Sequence, residues 1–255
     1  MNYVKLKKAE QEFLMRYPGG FDNPAMQEIT KKHKSVKMAK FAQDNFALSQ
    51  FEDTEKIIES FGKIASLSSL VSVFEKIRFK DIIKMLHEDE KQMLAIGLKE
   101  FLHGDASSGF SLMVQILKPY KIAKWPILTV VPYYYNPSVE ILIKPTTVKG
   151  VIAYFELVGL TYSPSPTYEF YKAYRDTIDG LKKEVDPSLR ADNAGFCGFL
   201  MMSLEHMPNH HLPIEITSET DDFFNEYNQE RLRKSIASIK EGKGVAHELI
   251  EVADE

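Results

Sequence analysis

Helix breakers and helix starters recur at short intervals along the first half of the chain, and between them apolar residues return every three or four positions. That combination confines the backbone to a succession of short amphipathic helices, because a 3.6-residue period gathers such residues on one face while proline and glycine end each segment. The stretch Asn2 to Tyr17, with Val4, Leu6, Phe13 and Leu14 among charges, stops at Pro18-Gly19-Gly20. Asn23 then caps a second helix that has Pro24 in its first turn and Met26 and Ile29 facing inward. From Val36 to Phe51 the apolar residues again keep the helical period, with Val36 and Phe41 expected inside, and Asp53-Thr54 restarts a helix bearing Ile57, Ile58, Phe61 and Ile64. Ser66 to Phe79 reads as a buried helix whose hydroxyls are satisfied internally. Lys91 to Phe101 is ended by His103-Gly104-Asp105, and Phe110 to Leu117 is stopped by Pro119.

Character changes at Trp125. Ile127 to Val131 and Val139 to Ile143 are β-branched runs that flank the turn-like Tyr133-Tyr134-Tyr135-Asn136-Pro137-Ser138, which predicts a small β-hairpin with Pro132 holding the first run to an edge. Lys144-Pro145-Thr146-Thr147 leads into a helix over 148–158. Ser165-Pro166 starts another, with Tyr168, Tyr171, Tyr174, Ile178 and Leu181 along one face. Ala194 to Met202 is most simply a buried helix. The expected fold is therefore mainly α: a helical domain over 1–202 containing a β-hairpin element, followed over 203–255 by an extended link and one amphipathic helix from about Phe223 to Lys240.

Several function classes fall away on composition. No apolar run approaches the roughly 18 to 20 residues of a membrane span, and the charged N-terminus lacks a signal-peptide core. The single cysteine, Cys197, excludes an internal disulfide and reads as a packing residue. A cytoplasmic protein is expected. Residues 203–255 carry five Lys/Arg against twelve Asp/Glu, and residues 1–202 carry twenty-seven against twenty-four. The acidic tail thus follows a body too weakly basic to predict nucleic-acid binding from charge. The dinucleotide, P-loop, zincin, nucleophile-elbow and EF-hand patterns do not occur.

The candidate site is the start of the helix after Lys144. Lys124, Lys144, Thr146, Thr147 and Lys149 would offer ammonium groups, hydroxyls and free N–H groups to a phosphate or carboxylate. Trp125, Tyr133, Tyr134, Tyr135 and Tyr168 could stack bases beside those lysines, but read more simply as packing. His206, His210 and His211 make no complete ligand set, so neither a metal nor a cofactor is expected. Arg175, with Tyr171 and Asp179 on one helix face, reads as a surface ion pair. Phe224, Tyr227, Leu232, Ile236 and Ile239 form a narrow stripe in the tail that asks for a protein partner or a neighbouring copy.

Two resemblances emerge from these residues. Phe13 to Phe21, Ser68 to Phe79, Ala123-Lys124-Trp125-Pro126, Lys144 to Gly150, Phe170 to Arg175 and Asn193 to Met202 resemble a family of uncharacterised bacterial proteins, which implies a bacterial cytosolic origin for residues 1–202. Arg231 to Gly244 with Glu248 to Glu251 resembles the C-terminal toxin-binding arm of Phd/YefM-type antitoxins, which implies an acidic arm that folds on a partner. The leading expectation is a non-enzymatic interaction protein that docks through its C-terminal helix. An enzyme or ligand-binding protein for a phosphorylated or carboxylated small molecule is the alternative, and single-stranded nucleic-acid binding a second one.

Overall fold

At the centre lies a helix that solvent hardly touches: in Trp125–Tyr135 every residue from Trp125 to Pro132 is buried, and Tyr134 with them. The structure is a computed structural model that describes residues 1–205. Among these residues it contains eleven α-helices and no strand. In chain order they are α1 (Tyr3–Arg16), α2 (Pro24–Lys32), α3 (Ser35–Asn45), α4 (Thr54–Leu67), α5 (Val73–Met85), α6 (Glu88–His103), α7 (Ala106–Leu117), α8 (Trp125–Tyr135), α9 (Pro145–Tyr154), α10 (Tyr168–Lys183) and α11 (Asn193–Glu205), with 3-10 turns at Gly20–Asp22, Leu48–Glu52 and Pro187–Leu189.

Most helix starts carry a capping residue, though not always the expected one: α10 begins at Tyr168 behind Thr167 and not at Ser165-Pro166, and α6 and α7 begin at Glu88 and Ala106, ahead of Lys91 and Phe110. Asn2, Asn23, Asp53, Ser72, Asp105 and Thr167 each accept a backbone N–H from the first turn, and Ser72 with Glu75 closes a capping box. Each such cap is worth about 1 kcal/mol. Helices α6 and α7 form a tight antiparallel pair because two glycines meet between them. A Cβ on Gly109 would stand 2.3 Å from the Phe101 nitrogen, so only glycine lets the backbones approach this closely. Phe101 and Phe110 then pack edge to face at 5.5 Å, and Phe110 stacks on Tyr171 of α10 at 5.9 Å, which joins the pair to the core.

The expected β-hairpin is absent. Ile127 to Val131 lie inside α8, and Val139 to Ile143 run as an extended connection with no strand partner. Burial on all sides outweighs the β preference of Val130 and Val131, since a fully enclosed helix rewards large apolar side chains of either kind. Pro126 fits the first turn, while Pro132 sits in the helix interior four residues before its C-cap, Asn136. Two further expectations are corrected. Ser66 to Phe79 is not one helix: α4 ends at Leu67, and Ser72 caps α5, whose Val73 is 64% exposed. Val36 faces outward, with 81% of its surface exposed. The link and helix over 203–255 lie, apart from the last residues of α11, outside the described residues.

Buried extended backbone must find hydrogen-bond partners. Val139 and Glu140 donate to Asn136 O across a turn, and the rest of the connection to Ile143 finds partners on α8, α10 and α11, not on a neighbouring strand. Thr129 of α8 accepts the Ile143 N–H at 3.1 Å, and the Tyr171 hydroxyl accepts the Ile141 N–H at 3.4 Å. Asn193 of α11 donates from its side chain to Val139 O at 2.7 Å and from its backbone to Pro137 O at 3.0 Å. Lys182 of α10 bridges the Asn193 side chain and Ser138 O. This strap delivers the chain to Lys144 and fixes where α9 begins.

Candidate ligand groove

Helices α2, α3, α9 and α11 stand around a groove of about 830 Å³, a size typical of small-molecule sites. One wall comes from Met26 and Ile29 of α2 and Val36 of α3. The facing walls come from Leu142 on the strap, Val148 and Val151 on α9, and Leu200, Met201 and Met202 on α11. Tyr133 of α8 and Tyr174 of α10 reach in from behind. Along α11 the lining residues Ala194, Gly195, Cys197 and Gly198 are small, and a Cβ at Gly198 would meet nothing within 4 Å. The glycine there keeps a wall recessed instead of relieving a clash.

The charged lining is mostly basic. Lys31, Lys34, Lys37 and Lys144 border the groove, against one carboxylate, Asp192. Asp192 is already engaged, accepting the Gly195 N–H at 2.6 Å in the first turn of α11. Lys31 is paired with Glu28 at 2.8 Å. The ammonium groups of Lys34, Lys37 and Lys144 have neither a salt-bridge nor a hydrogen-bond partner among the described residues. Lys34 takes the left-handed conformation, φ 52°, in the sharp turn from α2 into α3 that carries it to the groove edge. His33, beside it, shares a 2.9 Å hydrogen bond with Ser69.

Of the residues expected at the anion site, Lys144 and Thr147 line the groove. Lys144 is the N-cap of α9, whose first turn carries Pro145 and the two threonines, although the helix ends at Tyr154 and not at 158. Lys149 lies over the Tyr162 ring at 5.2 Å, a cation–π contact away from the groove. Thr146 is exposed and Lys124 is the N-cap of α8; neither lines the groove. Trp125 and Tyr134 are buried, and the Trp125 indole N–H donates to Ser163 O at 2.8 Å, so they present no face to a base. Arg175 lies over the Tyr171 ring at 5.7 Å on its own helix face, but its carboxylate partner is Glu140 on the strap and not Asp179, which pairs with Lys182 at 3.5 Å. Phe224, Tyr227, Leu232, Ile236 and Ile239 lie outside the described residues, as do His206, His210 and His211. Among the described residues no three His, Cys, Asp or Glu side chains cluster as metal ligands, and no helix is long and apolar enough to cross a membrane.

Three groove groups are polar yet poorly solvated. Burial raises the Tyr133 and Tyr174 hydroxyls above the ordinary phenol value, and burial pushes the Cys197 thiol up to about 12, so all three stay protonated at neutral pH. Cys197 is half-buried, its remaining accessible surface opening on the groove. Sequence reading marked Tyr133 as a stacking candidate and Cys197 as packing, and it missed Lys34, Lys37, Tyr174 and Gly198 as lining residues. The one local signal was the pair of glycines, Gly195 and Gly198, inside an apolar helix, where glycine marks close approach or open space. No protein-family model, curated protein or solved structure matches this chain.

Proposed function

We propose that the protein is a binding protein for an amphipathic anion, a molecule with an extended apolar body and a carboxylate or phosphate head. The observation that carries this reading is the groove itself, apolar within and edged by the ammonium groups of Lys34, Lys37 and Lys144, which have no partner among the described residues. An apolar body gains about 25 cal/mol for each Å² it removes from water, and an anionic head gains from the lysines at the edge. The reading assigns binding and not a reaction. Cys197, the cysteine in the lining, is held as a thiol, and no base hydrogen-bonds it among the described residues.

The test is calorimetric titration of the full chain with hexadecanoate and with hexadecanol, equal in chain and different in charge. The carboxylate binds more tightly, and its advantage shrinks with added salt and in Lys37→Gln and Lys144→Gln. Equal affinity for acid and alcohol, or no binding of either, overturns the reading.

A further inference from the structure

Tyr174 is only 2% exposed, and its ring stacks on Phe170 at 6.0 Å, yet its hydroxyl makes no hydrogen bond among the described residues. The Tyr133 hydroxyl, on a different helix, is in the same position. No fully enclosed side-chain nitrogen or oxygen is left unpaired in the described residues, so both hydroxyls, on the buried Tyr174 and the half-buried Tyr133, keep some accessible surface, and both residues line the groove. Buried phenols normally find a partner, because an unpaired one loses the hydrogen bonds it had in water. Two of them in one apolar groove are donors waiting for an acceptor.

The acceptor's chemistry follows from the surroundings. Both hydroxyls are protonated at neutral pH and therefore donate. Cys197, whose charge each of them would feel, is likewise neutral and a weak donor. The cationic groups of the lining are lysines on other elements, α2, α3 and the α9 start, so nothing on α8, α10 or α11 in the lining compensates a buried anion beside the tyrosines. A neutral oxygen fits these donors, and a carbonyl oxygen, with two lone pairs, can accept from both.

Resting on the groove being a ligand site, we infer that its ligand bears a carbonyl group along its apolar body, received by Tyr174 and Tyr133, in addition to the anionic head at the lysines. The tyrosines thus select an oxygenated acyl chain over a plain one. Elsewhere in the groove a carbonyl meets apolar side chains and is penalised, so selectivity depends on where along the chain the oxygen sits.

The experiment titrates the full-length protein with hexadecanoate and with oxohexadecanoates carrying the ketone at successive positions. In the wild type, affinity peaks at one ketone position, about fivefold or more above hexadecanoate, as one added hydrogen bond of about 1 kcal/mol requires. Tyr174→Phe and Tyr133→Phe each lower that peak relative to the other ketone positions, and the double variant leaves a profile that is flat across them. A flat profile in the wild type, or a peak that survives in the double variant, overturns the inference and leaves the groove reading intact. Failure of every chain to bind overturns the groove reading itself. Folding of the variants is checked by urea unfolding: a purely structural tyrosine would lose stability on conversion to phenylalanine, whereas Tyr174→Phe removes an unpaired hydroxyl and leaves stability equal or raised.

Discussion

The Arg175 guanidinium lies 2.8 Å from the Glu140 carboxylate, and the same carboxylate accepts the Tyr171 hydroxyl at 2.6 Å, so one acid on the strap is held by two side chains of α10. Both charged side chains are 16% exposed. Removing either partner strands the other in a poorly hydrated place, which for half-shielded pairs costs about 2–3 kcal/mol. Arg175→Ala and Glu140→Gln each lower the urea midpoint accordingly. The double variant loses less than the sum of the two, and additive losses would show that the pair is not coupled.

A second test of the strap uses Thr129. Its hydroxyl donates to Trp125 O at 2.7 Å and accepts the Ile143 N–H at 3.1 Å. Thr129→Val keeps the shape and leaves that N–H unpaired in the core, at about 1–3 kcal/mol. Thr129→Ser keeps the bond and loses only a methyl. Equal stability of the Val and Ser variants would mean that the strap does not depend on this hydrogen bond.

Two glycines of the same helical type should respond in opposite directions. Gly109→Ala drives a Cβ into the α6 backbone and destabilises by at least the 1–3 kcal/mol or so typical of overpacking. Gly180, exposed in α10 with nothing within 4 Å of a Cβ, gains about 1 kcal/mol on conversion to alanine, because helical glycine is entropically unfavourable. Thermal unfolding distinguishes the two directly.

Alkaline pH should weaken the fold steeply. Burial raises Tyr133, Tyr171 and Tyr174 above the ordinary 10.0, and raises Cys197 from 9.0 to about 12. Below about pH 8 folded and unfolded chains hold the same protons at these groups, so they contribute no slope. Above it the unfolded chain releases protons that the folded chain retains, and each one lowers stability by about 1.4 kcal/mol per pH unit. Urea midpoints hold steady between pH 7 and 8, begin to fall near pH 9 as the unfolded cysteine ionises, and fall steeply beyond pH 10. Tyr174→Phe makes the fall shallower, and an identical slope in that variant would contradict the burial argument.

Helix starts were legible because caps are local: Asn23-Pro24, Asp53-Thr54 and Lys144-Pro145 declare themselves within a few residues. The state of Ile127 to Val131 was not, because it is decided by what surrounds α8 and not by what the run contains. The hydroxyls that replaced a strand partner, Thr129 and Tyr171, look in sequence like any other threonine and tyrosine. The site divides in the same way. Lys144 and Thr147 could be found at a helix start, whereas Lys34, Lys37, Tyr174 and Gly198 come from segments far apart in the chain and acquire meaning only when α3, α10 and α11 meet.

The strap also orders events in time. Its locks close progressively longer stretches of chain: Thr129 to Ile143 spans 14 residues, Glu140 to Arg175 spans 35, and Val139 to Asn193 spans 54. Each longer closure demands more ordered chain before it repays the entropy lost. During synthesis the first lock can form once α8 and the strap have emerged, but the last must wait for α11. Lys144 and Thr147 therefore take their final places late, after α11 has been made.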